Sequence, residues 1–290
     1  MATIKELRLR IKSLQNTSKI TSAMKMVSAS RLRRAQDAFN RARPYYQKMQ
    51  ELLDQVVASF QDLDHPLMKS REAKRLRYYA LASDRGLAGP FNNNLLRFFT
   101  RQLDSTVPLE AVGLGKRARD FVARSGLKVS LAAEGATNLP NFANASRISS
   151  RAIHDFTTGE VDKVFLVYNR YNSVLSQTPT TVQLLPFTKP AAVSLKDGAT
   201  GGFKLDYVVE PNPEELFNEL LPQLVAVQVF RSLLENAVGE HSARMTAMDS
   251  ATKNTKDLIS NLTLRMNRAR QAAITKELIE IVSGAEALNG

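Results

Sequence analysis

Three short stretches hold residue types and spacings that bear on chemistry. In "SDRGLAG" (83–89), Asp84 and Arg85 stand beside two glycines. A carboxylate and a guanidinium in a flexible loop can act on a substrate, and a loop between a strand and a helix is where α/β folds bind ligands. The competing reading, that Asp84 caps a turn and Arg85 pairs locally, is the stronger on residue type. "GLGKR" (113–117) brings two glycines and a lysine together, as loops that present backbone N–H groups to phosphate do. It lacks the first glycine and the Ser or Thr of a P-loop, and so reads as a structural turn. The run Arg31, Arg33, Arg34, Arg41, Arg43 is the best nucleic-acid candidate. A single aromatic residue, Phe39, falls within the run, too little for a series of stacked bases, and alanine and serine surround it, which favours a solvated face or a protein-facing collar.

The remaining candidates are sparse. His65, His154 and His241 do not share a metal-ligand spacing. The chain has no cysteine, which excludes disulfides and thiol chemistry. No Ser/His/Asp order or paired-carboxylate arrangement stands out. The formal net charge of +12 permits nucleic acid, anionic lipid or an acidic protein as partner without choosing among them.

The elements that must position these residues fall into three regions, expected at 1–57, 75–208 and 212–290. The first reads as one helix. Ile4, Leu7, Ile11 and Leu14 keep a spacing of three and four, and Ile20, Met24 and Val27 extend it, with Thr17 and Arg31 at positions due an apolar residue. So narrow a stripe is a coiled-coil seam. Pro44 is a defect within it. The middle region alternates strands at 77–83, 109–115, 128–133, 163–171 and 181–187 with helices at 91–103, 115–125 and 143–159, the pattern of a parallel sheet with crossover helices. No helix separates the last two strands, so they are expected to pair antiparallel. In the third region, Asn212 and Pro213 mark a helix start, and Pro222 ends that turn or opens a second helix. From Leu224 the seam runs through Val238, Met245, Met248 and Ile259 to Met266, with Thr252 and Thr255 at seam positions, and reappears as Leu278 and Ile281. The two helices would be about 85 Å and about 100 Å long. The expected fold is α/β: a long antiparallel two-helix coiled coil of the N- and C-terminal helices, with an inserted Rossmann-like domain. The first residues continue the apolar period and lack a signal peptide's apolar stretch, and no run approaches a membrane span.

"KITSAMKMVSASRLRRAQ" (19–36), "SDRGLAGPFNNNL" (83–95) and "RMNRARQAAITKELIEIVSGAEAL" (265–288) together resemble the gamma subunit of F-type ATP synthases of bacterial type. The family commonly has cysteine where Ala88 stands and glycine where Pro90 stands. The resemblance implies a non-catalytic rotor shaft that couples proton or sodium flow through a membrane c-ring to ATP synthesis. It implies three alpha and three beta subunits, an epsilon subunit and the c-ring as partners. No cofactor is expected on the chain itself, with nucleotide and Mg held by the alpha and beta subunits, and the implied location is the cytoplasmic face of the inner membrane. By match to the family's motifs, Met24, Lys25, Arg270, Gln271, Thr275 and Glu277 would face the alpha–beta hexamer. Arg31, Arg33, Arg34, Arg41, Arg43, Asp206, Tyr207 and Glu210 would face the c-ring and epsilon. A basic coiled-coil nucleic-acid-binding protein is the alternative, distinguished by salt-dependent binding to DNA.

Overall fold

A computed structural model of the chain describes residues 3–59, 65–103, 107–129, 137, 140–187 and 213–289. Two compact units make it up, Met1–Ala29 with Arg244–Gly290 and Ser30–Ala243. Helices α1 (Ile4–Ser59) and α5 (Pro213–Asn289) contribute to both.

Among the described residues the larger unit is built on five strands, β1 (Leu76–Leu81), β2 (Leu109–Leu114), β3 (Lys128–Val129), β4 (Lys163–Tyr171) and β5 (Gln177–Leu185). Their order is β3-β2-β1-β4-β5. All neighbours are parallel except β4 and β5, which pair antiparallel as expected. Helices α2 (Phe91–Gln102), α3 (Lys116–Arg124) and α4 (Phe142–Thr157) make the crossovers. All six residues of β1 are buried, as befits a central strand covered on both faces. Alternation divides them. Tyr79 and Leu81 join a core with Ala145, Ala152 and Phe156 of α4 and Phe217, Leu221 and Val229 of α5. Leu76, Tyr78 and Ala80 join the opposite core with Leu95 and Phe99 of α2 and Ala118 and Val122 of α3.

Arg77, on the same face as Tyr79, carries a charge into the first core. Its guanidinium donates to Asp155 of α4 and to Glu110 Oε2 of β2, at 2.7 Å for the latter. Burial works to lower the Arg77 pKa, but the hydrogen bonds to Glu110 and Asp155 outweigh it and the net direction is upward. Asp155 also accepts from Arg151 at 2.9 Å.

Neither interior proline ends its helix. Around Pro222, Leu220, Leu221, Leu224 and Val225 are all buried in the core, and that burial offsets the lost backbone bond, so the expected break is absent. Pro44 is flanked by contacts that hold both sides of α1: Phe39 and Tyr46 rings lie 6.1 Å apart, and the Arg231 guanidinium sits 4.9 Å from the Tyr46 ring.

In the smaller unit α1 starts on a capping box. The Thr3 N–H donates to Glu6 Oε2 at 3.0 Å and the Glu6 N–H to Thr3 Oγ1 at 3.3 Å. The two helices run antiparallel, because Thr21 meets Thr252 while Lys25 meets Asp249. The seam differs from the sequence reading after Leu14. Thr21 and Ser28 are buried, whereas Ile20 and Val27 are 60% and 53% exposed. Leu7, Leu14, Thr21 and Ser28 keep the seven-residue repeat, and the apolar stripe steps off it by one residue. Hydroxyls can take the seam because each finds an acceptor: Thr21 Oγ1 donates to Ser18 O at 3.1 Å and Ser28 Oγ to Met24 O at 2.8 Å. On α5 the reading holds, with Met248, Thr252 and Thr255 buried.

Candidate functional site

The loops that resembled ligand sites are closed by the chain's own groups. Asp84 Oδ1 accepts the Lys116 N–H at 2.8 Å, and Oδ2 accepts from Thr137 Oγ1 at 2.6 Å. The Arg117 N–H donates to Ser83 O at 3.1 Å. The N–H groups at the start of α3 are therefore partly consumed by the loop after β1. The two glycines serve packing. A Cβ on Gly113 would lie 2.4 Å from Arg119 N, and one on Gly115 would lie 2.2 Å from Ala82 O. The capping reading of Asp84 thus describes its geometry. At the same end of the sheet, Gly239 of α5 fits against Phe91, whose ring would lie 3.0 Å from an added Cβ. The C-terminal strand edge, where α/β folds hold ligands, is covered there by helix.

The histidines are apart. His65 Nδ1 accepts the Leu67 N–H at 3.1 Å and its Nε2 lies 3.1 Å from Asn218 Oδ1, so it caps the 3-10 turn Pro66–Met68. His154 lies in α4 and His241 in α5. Among the described residues no three His, Asp or Glu side chains gather as metal ligands.

The residues singled out on the helices lie at distinct places. In the smaller unit, Met24 is half-buried and Lys25 is exposed but engaged. Its Nζ donates to Asp249 Oδ1 at 2.6 Å, and Lys253 Nζ stands 3.0 Å from Asp249 Oδ2. These contacts hold the Asp249 carboxyl below its ordinary pKa, the Lys25 hydrogen bond first and the Lys253 bond second. Lys25 thus ties α1 to α5.

Arg270, Gln271, Thr275 and Glu277 are all exposed, and Thr275 Oγ1 donates to Gln271 O at 3.0 Å. Their exposure has a simple origin. Carrying the register of Thr21 on Thr252 back to Ile4 brings α5 to about residue 269, so α1 has ended before these residues begin. The seam residues that continue there, Leu278 and Ile281, are 57% and 68% exposed, and Ile274 beside them is 50% exposed. At 100° per residue, Arg270, Ile274, Glu277, Leu278 and Ile281 share one face. The sequence reading picked out the polar members and missed that the face is mixed. The signal was present: the heptad resumes at Leu278, beyond the level that α1, starting at Ile4, reaches along α5.

The arginine run, in the larger unit, does not form one face. Arg31 and Arg34 line a cavity with Arg85 and His241, and Arg33 is not among its walls. Arg33 and Arg43 are exposed, and Arg41 donates to Asp37 O at 3.3 Å. Asp206, Tyr207 and Glu210 lie outside the described residues.

An antiparallel coiled coil of terminal helices, with a five-stranded α/β domain between them in sequence whose loops after β1 and β2 are closed on each other, defines a coiled-coil protein that presents helix faces. Comparison with known proteins is then decisive. A family model described as ATP synthase matches residues 3–288. The ATP synthase gamma chain of Pelotomaculum thermopropionicum is 42% identical over 289 residues, covering 99% of this chain and 100% of that one. That of Granulibacter bethesdensis is 45% identical over 301 aligned residues, with the same coverage. The chain belongs to the ATP synthase gamma chain family. Among solved structures, a chain of the Euglena gracilis mitochondrial ATP synthase (OSCP/F1/c-ring) matches with a TM-score of 0.65 at 18% identity, covering 98% of this chain and 94% of that one. One from the central stalk and c-ring of the Tetrahymena thermophila mitochondrial enzyme matches with a TM-score of 0.57 at 24% identity, covering 80% and 99%. Both show the same fold.

Proposed function

We infer that this chain is the central rotor shaft of an F-type ATP synthase, coupling ion flow through a membrane c-ring to ATP synthesis in the catalytic head. The observation that carries the reading is end-to-end identity of 42% to ATP synthase gamma chains, with no large part of either chain left over. The chain is read as non-catalytic in its own right. Nucleotide and Mg are assigned to three alpha and three beta subunits, and no cofactor to this chain. Proton flow is the expected coupling current, with sodium its substitute in some machines. No helix among the described residues is long and apolar enough to cross a membrane, which suits a peripheral subunit at the cytoplasmic face of the bacterial inner membrane. Nothing in the comparisons favours nucleic-acid binding.

The physical logic of a shaft fits the helices. A wide apolar stripe would fix one angle, since buried apolar area contributes about 25 cal/mol per Å². Exposed ion pairs contribute about 0–1 kcal/mol each and exchange readily. The exposed face at Arg270, Gln271, Thr275 and Glu277, and the half-buried Met24 beside Lys25, are assigned to the alpha–beta hexamer. Because Lys25 is engaged by Asp249, its contribution there is to hold the two helices together as they turn. Arg31, Arg33, Arg34, Arg41 and Arg43, with Asp206, Tyr207 and Glu210, are assigned to the c-ring and epsilon.

The test is co-expression with tagged alpha and beta subunits from the same organism. The expected result is a complex containing this chain once per three alpha–beta pairs, with ATP hydrolysis and, on membranes, ATP-driven ion pumping. A chain that stays out of the complex, or a complex whose pumping is independent of it, overturns the reading.

A further inference from the structure

We draw no further inference here: the strongest candidate, the stripe of exposed apolar side chains that Leu9, Ile20 and Val27 form on one face of α1 in the smaller unit, is a bare helix surface, and nothing in the structure shows what covers it.

Discussion

Lys25 Nζ lies 2.6 Å from Asp249 Oδ1, joining α1 to α5 across 224 residues of sequence, and Lys253 meets the same carboxylate from the next turn of α5. The pair is exposed enough for solvent to screen it, so its mark is a pH dependence more than a large stability. The folded pKa of Asp249 is depressed below its unfolded value. Its contribution is therefore full above the unfolded value of about 3.9 and lost as pH falls through the lower folded one. Asp249→Asn is expected to lower the urea midpoint at pH 7, with the gap from wild type unchanged to about pH 5 and closing in acid. A gap that persists undiminished at the lowest pH would assign the residue to packing instead.

Arg77 and Asp155 make the opposite case, because both side chains are shut from water at 3% and 0% exposure. Breaking a buried pair strands the surviving charge, at about 3–5 kcal/mol. Arg77→Met is expected to destabilise the chain by that amount in urea unfolding. The double variant Arg77→Met/Asp155→Leu should cost clearly less than the single one, since the carboxylate left behind is then Glu110, at 19% exposure, and no longer the fully buried Asp155. Equal costs would mean that Asp155 is satisfied by Arg151 alone.

Gly115 sits at φ +89° with the Ala82 carbonyl 2.2 Å from where a Cβ would be. Gly126 also has positive φ, at +69°, but has nothing within 4 Å of that point. Conformation alone costs about 1–2 kcal/mol, and the clash adds to it. Gly115→Ala should therefore destabilise by about 3 kcal/mol or more, and Gly126→Ala by about 1 kcal/mol. Thermal melts of the two variants check this. Similar losses would show that the loop after β1 shifts freely, and would reopen the loop of Gly113–Lys116 as a ligand cradle.

The sheet was legible in the sequence because its strands are apolar runs separated by amphipathic helices. Even the antiparallel last pair followed from the missing crossover. The start of β5 was placed late, because Gln177, Thr178, Pro179 and Thr180 belong to a half-exposed edge strand without an apolar pattern. The seam of α1 was misplaced for a related reason. Periodicity follows apolar residues, and here Ile20 and Val27 are apolar but outside, while Thr21 and Ser28 are polar but inside. Only the partner helix decides between them, through Thr252. The buried Arg77–Asp155 pair and the meeting of Arg31 and Arg34 with Arg85 and His241 depend on residues far apart in sequence, which neither spacing nor composition brings together.

The hydroxyl seam offers a direct test of how the shaft turns. Thr252 Oγ1 donates to Thr21 Oγ1 at 2.8 Å, both side chains being buried where the two helices meet. Hydroxyl oxygens that close place their Cβ atoms near the separation a disulfide requires. The chain has no cysteine, so Thr21→Cys/Thr252→Cys would introduce its only thiols. If α1 and α5 rotate as one body, a covalent bond between them removes no motion that the machine uses. Oxidised complexes should then keep the ratio of ATP-driven ion pumping to ATP hydrolysis found for the reduced ones, while resisting urea better, because the bond closes a loop of more than 200 residues in the unfolded chain. The measurement is pumping and hydrolysis on the same membranes before and after oxidation, with crosslink yield read by non-reducing electrophoresis. Loss of pumping with hydrolysis retained, restored by a reductant, would mean that the two helices must slide or twist against each other in each cycle, and the single-shaft reading would fail.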